Sequence, residues 1–167
     1  MSTLTATQRT ELIAAAFQAK EGSYSPYSKF RVGAAFLSSN DEIIKGANIE
    51  NASYGELLLV SIGGTICAER TALVKAVSEG IKSFKALAVV TDVNEAISPC
   101  GMCRQFIREF CALGMPVLMV PADYSAEHPT GRSDGSGKII DITFGELLPL
   151  SFGPEHLELP RGGSSAP

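Results

Sequence analysis

The amino-acid sequence predicts a three-layer α/β/α sandwich on a mixed five-stranded sheet. Three observations carry this expectation. An amphipathic stretch at 6–20 leads into two short strand patterns separated by Ser38-Ser39-Asn40-Asp41. Two helix–strand units then follow in succession, and each of their strands is a continuous apolar run. The whole chain has 167 residues, the length of one domain with a real core. We expect that domain to span 1–160, with a flexible tail over 161–167, Arg161-Gly162-Gly163-Ser164-Ser165-Ala166-Pro167.

The elements follow in order. Leu12, Ile13, Ala16 and Phe17 fall on one face at helical spacing, which predicts a helix over 6–20. Gly22 to Ser28 is a turn-rich connection in which Pro26 fixes its own φ and lacks a donor. Phe30 to Leu37 and Ile43 to Ala47 read as a β-hairpin. The polar segment Asn48-Ile49-Glu50-Asn51-Ala52-Ser53-Tyr54 follows the second strand, where function-bearing loops tend to sit. A second helix is expected over 66–79, with Gly80 closing it. Ala86 to Thr91 reads as a strand covered on both faces, 101–113 as a third helix ended by Gly114, and Pro116 to Val120 as another buried strand. A helix before each of these strands implies parallel pairing through a right-handed crossover. Residues 121–138, rich in Pro, Gly, Ser and Asp, predict a surface loop. Lys138 to Ile142 is a fifth strand pattern and Phe144 to Leu148 a short helix.

Charge narrows the partners. Fourteen basic against eighteen acidic residues give a formal charge of −4, and no basic run offers a face to a phosphate backbone, so nucleic acid is not an expected partner. No secretory signal pattern is visible at the start, and no apolar run approaches the roughly 18 residues that a membrane-spanning helix needs. A cytoplasmic location is therefore expected. Thiols stay reduced there, and the cysteines read as metal ligands rather than disulfides.

Three of the four cysteines lie in two short motifs, Cys67-Ala68-Glu69-Arg70 and Pro99-Cys100-Gly101-Met102-Cys103. Cys67, Cys100 and Cys103 supply the three ligands of a catalytic zinc that leaves its fourth position open. Each motif falls at the start of a predicted helix, where the partial positive charge favours thiolates. Glu69 is too close to Cys67 in the same turn to serve as a fourth ligand and is better placed to face a metal-bound water. A closed structural site would need Cys111, which lies eight residues beyond Cys103 along the helix; it reads as a small core residue. Three thiolates leave Zn²⁺ with an excess negative charge, and Arg70 is placed to balance it by donating to the sulfurs.

The Cys-Ala-Glu…Pro-Cys-x-x-Cys pair is the three-cysteine form of the zinc-deaminase signature. The chain resembles the small, homotetrameric cytidine deaminases from Tyr24 to about Leu159. The matching segments are Pro26-Tyr27-Ser28-Lys29-Phe30, Val32-Gly33-Ala34-Ala35, Asn48 to Tyr54, Cys67 to Ala72, Ser98 to Gln105, Leu147-Leu148-Pro149 and Ser151-Phe152-Gly153-Pro154. That resemblance implies hydrolysis of cytidine or deoxycytidine to the uridine product and ammonia, with one zinc per subunit. It implies that Glu69 shuttles protons, that Phe30 and Ala68 lie beside the base, and that Asn48 and Glu50 bind ribose hydroxyls. A carboxylate at Glu50 accepts from a hydroxyl and repels a phosphate, which favours free nucleosides. Phe152 and Tyr54 match residues at subunit contacts near the pocket, which implies a homotetramer with shared active sites. Other readings are a deaminase of a related aminopyrimidine nucleoside, a polynucleotide-editing deaminase and a non-catalytic zinc module. Two departures from the family stand out. Ten extra residues, 55–64, lie between Tyr54 and the catalytic motif, and the 121–138 connection is long.

Overall fold

The computed structural model describes residues 4–52, 64–129 and 131–161. Tyr54, the run 55–63 and residues 162–167 of the expected tail lie outside them. The predicted architecture is present: one mixed five-stranded sheet between two helical layers. Its elements are α1 (Ala6–Lys20), β1 (Gly33–Ser38), β2 (Ile43–Ala47), α2 (Ala68–Ser78), β3 (Phe84–Val90), α3 (Gly101–Arg108), β4 (Pro116–Val120), β5 (Ile140–Thr143) and α4 (Phe144–Leu147), followed by a 3₁₀ turn at Pro154–Leu157. The strand order is β2-β1-β3-β4-β5. β1 is antiparallel to β2 and β3, β3 is parallel to β4 across α3, and β5 returns antiparallel to β4.

Strand alternation sorts the core into two layers. Ala35, Leu37, Ala86, Ala88, Val90, Leu118 and Val120 face α1 and pack on its Leu12, Ile13 and Ala16. Ala34, Phe36, Leu87, Val89, Val117 and Met119 face the other way, onto α2, α3 and α4. Two glycines allow the helices to approach. A Cβ on Gly33 would sit 2.1 Å from the Ala16 carbonyl oxygen, and one on Gly46 would sit 2.3 Å from the Ala72 amide. Either substitution would push a helix off the sheet.

The helix ends explain where expectation and structure differ. α1 starts as predicted because Thr5 and Gln8 form a reciprocal capping box. α2 begins at Ala68 instead of 66, because Ile66 is held in an antiparallel bridge to Ile49, with N···O distances of 2.9 and 3.0 Å. Its far end closes on Gly80 at φ +88°, with Ile81 donating to Ala76 and Gly80 to Val77. α3 stops at Arg108 instead of reaching 113. The carbonyls of Leu113 and Met115 accept from the Gly145 and Phe144 amides, so that stretch docks α4 and cannot continue the helix. The first strand starts at Gly33 instead of Phe30, because Phe30 to Val32 are drawn away by side chains described below. The described residues of 121–138 form turns held by Arg132, which donates to the Asp123 carbonyl at 3.1 Å. Among the described residues no helix is long and apolar enough to cross a membrane.

At the edge of the sheet where β3 ends, α1 and the 30–32 segment are tied together by charge. The Lys20 amine, only 7% exposed, donates to the Thr91 carbonyl at 3.0 Å and pairs with Asp92 at 3.1 Å. Arg31 grips the same carboxylate with its backbone amide, Nε and Nη2, each at 3.0 Å. The Arg31 hydrogen bonds, helped by Lys20, hold the Asp92 carboxyl down at about 2 against the opposing effect of burial. A carboxyl whose pKa is lower in the folded state stabilises the fold above its ordinary pKa near 4, and loses that effect as pH falls through about 2. Asp92→Asn should therefore lower unfolding free energy at neutral pH by about 1–3 kcal/mol. In urea titrations the gap between the two proteins should narrow between about pH 4 and pH 2; a gap that stays constant across that range would contradict this account.

Candidate active site

The site is built where two helix starts meet. Cys67 is the N-cap of α2 and Cys100 the N-cap of α3; both backbones are extended, and neither side chain is used as a cap. Their sulfurs lie 3.8 Å apart, and the Cys103 sulfur, one turn into α3, completes a trio within 4.8 Å. A tetrahedral zinc with Zn–S bonds of about 2.3 Å separates its sulfurs by about 3.8 Å, so the donor set and the spacing both fit that ion. Cys111 is outside the trio, buried in the core beside α3, and burial pushes its thiol up to about 12.

Cys67 and Cys103 sit in different surroundings. Cys67 is drawn down to about 5, first by its hydrogen bond with Cys103 and then by Arg70. Cys103 is driven up by that same bond and by burial. Arg70 donates from Nη2 to the Cys67 sulfur at 3.6 Å and to the Thr65 carbonyl at 2.9 Å, which places its guanidinium over the sulfur and the chain just before it.

Glu69 is 4% exposed and projects from the first turn of α2 into the same cavity. Burial pushes its carboxyl up to about 7; the Cys67 charge adds to this, while its own backbone amide and the Cys103 thiol act in the opposite direction. A carboxyl poised near neutrality can take and return a proton.

The cavity extends away from the sulfurs for about 590 Å³, a volume suited to a small organic ligand. Phe30, Val32, Asn48, Glu50, Val89 and Thr91 line one part, and Thr65, Ile97, Ser98 and Met102 another. The loop carrying Asn48 and Glu50 is fixed by backbone bridges on both sides. The Tyr24 amide donates to the Asn48 carbonyl and the Glu50 amide to the Tyr24 carbonyl, while Ile49 pairs with Ile66. The start of α2 and the polar loop are therefore one unit.

Both polar side chains are buried and held. Asn48 accepts from the Val32 amide at 2.8 Å and the Ser23 hydroxyl at 2.6 Å, and donates to the Phe30 carbonyl at 2.8 Å. Among the described residues one N–H of its amide has no partner. Glu50 accepts from the Tyr27 amide at 2.9 Å, the Ser28 amide at 3.3 Å and the Ser28 hydroxyl. Burial opposes the charge on Glu50, but these donors outweigh it and hold the carboxyl below its usual range. Lys29, between these donors and Phe30, takes φ +57°, an uncommon conformation that the surrounding bonds enforce.

The remaining expected residues are Ala68 and Phe152. Ala68 is fully buried as the first residue of α2, beside Glu69, with its methyl packed in the core. Phe152, expected at the pocket of a neighbouring copy, lies outside the cavity of its own chain. It is 56% exposed, its ring stacks on His156 at 5.4 Å, and Gln105 donates to its carbonyl at 3.1 Å.

Sequence reasoning missed the residues that hold the site. Ser23 sits in a turn-rich stretch where hydroxyls are common, so nothing marked it, and Ser28 lies in the matching Pro26 to Phe30 segment with no role attached to it. Arg104 lies inside the Ser98 to Gln105 motif, one turn after Cys100, and that spacing was the only available signal.

Residues 6–119 match the family model described as the cytidine and deoxycytidylate deaminase zinc-binding region. The cytidine deaminase of Sporosarcina psychrophila is 46% identical over 147 residues, 88% of this chain and 93% of that protein. That of Halalkalibacterium halodurans is 44% identical over 149 residues, 89% of this chain and 97% of that protein. The crystal structure of cytidine deaminase from Burkholderia pseudomallei aligns with a TM-score of 0.71 at 35% identity, covering 89% of this chain and all of that one. Sequence, fold and the three-thiol centre thus converge, and the chain belongs to the cytidine and deoxycytidylate deaminase family.

Proposed function

We propose that the chain is a zinc-dependent cytidine deaminase, taking cytidine or deoxycytidine with water to uridine or deoxyuridine and ammonia, a reaction of pyrimidine salvage. The observation that carries this reading is the placement of buried Glu69 beside three sulfurs spaced for zinc, in a cavity whose other wall presents Asn48 and Glu50. Zinc held by Cys67, Cys100 and Cys103 supplies Lewis-acid chemistry, making a water nucleophilic near neutral pH.

The chain's own residues do the rest. Glu69 takes a proton from the attacking water, delivers one to N3 of the cytosine ring, and then helps the 4-amino group leave as ammonia. Phe30 packs against the base. Glu50 accepts from a sugar hydroxyl through the carboxylate capacity its three donors leave unused, and Asn48 donates through its remaining N–H. A fixed negative charge at Glu50 repels a 5′-phosphate, so the free nucleoside is the substrate. Arg70 offsets thiolate charge at Cys67.

The site works in a homotetramer, with Phe152 reaching the cavity of a neighbouring copy. Its exposure on its own chain supports this, as do the exposed Ile49, Ile66, Ile97 and Met102 in or beside the cavity lining. Tyr54 is assigned to the same contact. The chain acts as a single domain over 1–160, in the cytoplasm, with no nucleic acid or membrane partner.

Loss of cytidine absorbance with time measures the activity. Glu69→Gln, which keeps shape and removes the titrating group, should lower kcat by at least about 10²–10⁴-fold while zinc remains at one per chain; near-normal turnover would overturn the assignment. Arg70→Ala should retain zinc and lose about tenfold in kcat, an effect in the range seen for residues that support metal ligands, and full turnover would remove Arg70 from the charge balance. Sedimentation should give a tetramer, whereas a fully active monomer would contradict the role of Phe152.

A further inference from the structure

Cys100 is the exposed member of the sulfur trio, Cys67 being half-buried and Cys103 buried. Its side chain makes no capping bond, so α3 holds it only through the backbone, where the Arg104 amide donates to the Cys100 carbonyl at 2.9 Å. The two residues just before it are held by one side chain. Arg104 uses two of its three guanidinium nitrogens on the chain entering α3. Nε donates to the Pro99 carbonyl and Nη2 to the Ser98 hydroxyl, each at 2.6 Å. The remaining nitrogen, Nη1, donates to the Leu147 carbonyl at 2.8 Å, at the C-terminal end of α4. Two consecutive residues directly before Cys100, Ser98 and Pro99, are therefore held by one side chain, and the clamp is anchored on a separate helix. Pro99 is fully buried and has no amide of its own to contribute, which leaves its carbonyl as its only backbone anchor.

We propose that Arg104 is a positioning residue that fixes Cys100 and so governs how long zinc stays bound. It touches neither the sulfurs nor the reacting atoms; it acts through the Ser98 hydroxyl and the Pro99 carbonyl, just before Cys100. A lysine cannot replace it, because one ammonium cannot reach three acceptors arranged for a planar guanidinium. The inference rests on the zinc assignment above. A wild-type protein isolated without zinc, and unable to bind it, would defeat that assignment rather than this one.

The test measures zinc transfer from the loaded enzyme to a chromogenic chelator at fixed pH, together with circular dichroism and Tm. Outer partners of metal ligands are worth about 10–100-fold in metal affinity. Arg104→Ala and Arg104→Lys should each release zinc at least fivefold faster than wild type while keeping the native circular dichroism. Release less than fivefold faster in a folded variant overturns the proposal. If the alanine variant does not fold, the lysine variant decides by the same threshold. Ile13→Ala, which opens a void under α1 on the opposite face of the sheet, separates positioning from general destabilisation. It should lower Tm and leave zinc release within twofold of wild type. Release from Ile13→Ala as fast as from the Arg104 variants would also overturn the proposal.

Discussion

Everything in this molecule answers to one electrostatic problem, the bringing together of three thiols that a metal will hold as thiolates. Three negative sulfurs within 4.8 Å repel one another, and a cluster left alone would spread or stay protonated. The fold offsets this by using helix starts twice. α2 and α3 lie against the same face of the sheet and bring their N-termini to the edge where β3 ends, so two sets of backbone dipoles point at one spot. Arg70 adds a full charge at the Cys67 sulfur.

Once that spot is defined, the rest of the site is placed by sheet geometry. Residues one step beyond the row formed by Ala47, Gly33, Val90 and Val120 arrive at the same edge: Asn48 from β2, Val32 before β1, and Thr91 from β3. The Ile49–Ile66 bridge then couples the polar loop to the entry of α2, so the groups assigned to the sugar and those assigned to the base move as one body. Gly33 and Gly46 let α1 and α2 lie close enough to the sheet for this edge to be crowded with functional groups. The Lys20–Asp92–Arg31 cluster seals it from the α1 side.

Much of this was legible in the chain because it is written locally. The ranges of α1, β2 and β4 follow from periodicity and apolar runs, and the metal ligands follow from spacing at predicted helix starts. Expectation failed where a distant partner intervened. α3 is shorter because α4 takes the carbonyls at Leu113 and Met115, and α2 starts later because Ile49 claims Ile66. Ser23 looks like an ordinary turn residue in sequence, and Arg104 and Ser28 lie in matching motifs that say nothing of what they bind. Their roles exist only once the segments they bind have been folded beside them.

The central claim is a three-sulfur zinc centre with one position open to water. X-ray absorption at the zinc edge of the protein as isolated reads that coordination directly. The account predicts one zinc per chain with three sulfurs at about 2.3 Å and a single nitrogen or oxygen scatterer at about 2.0 Å. Four sulfurs, which would enlist Cys111 and close the site, or fewer than three, would contradict it.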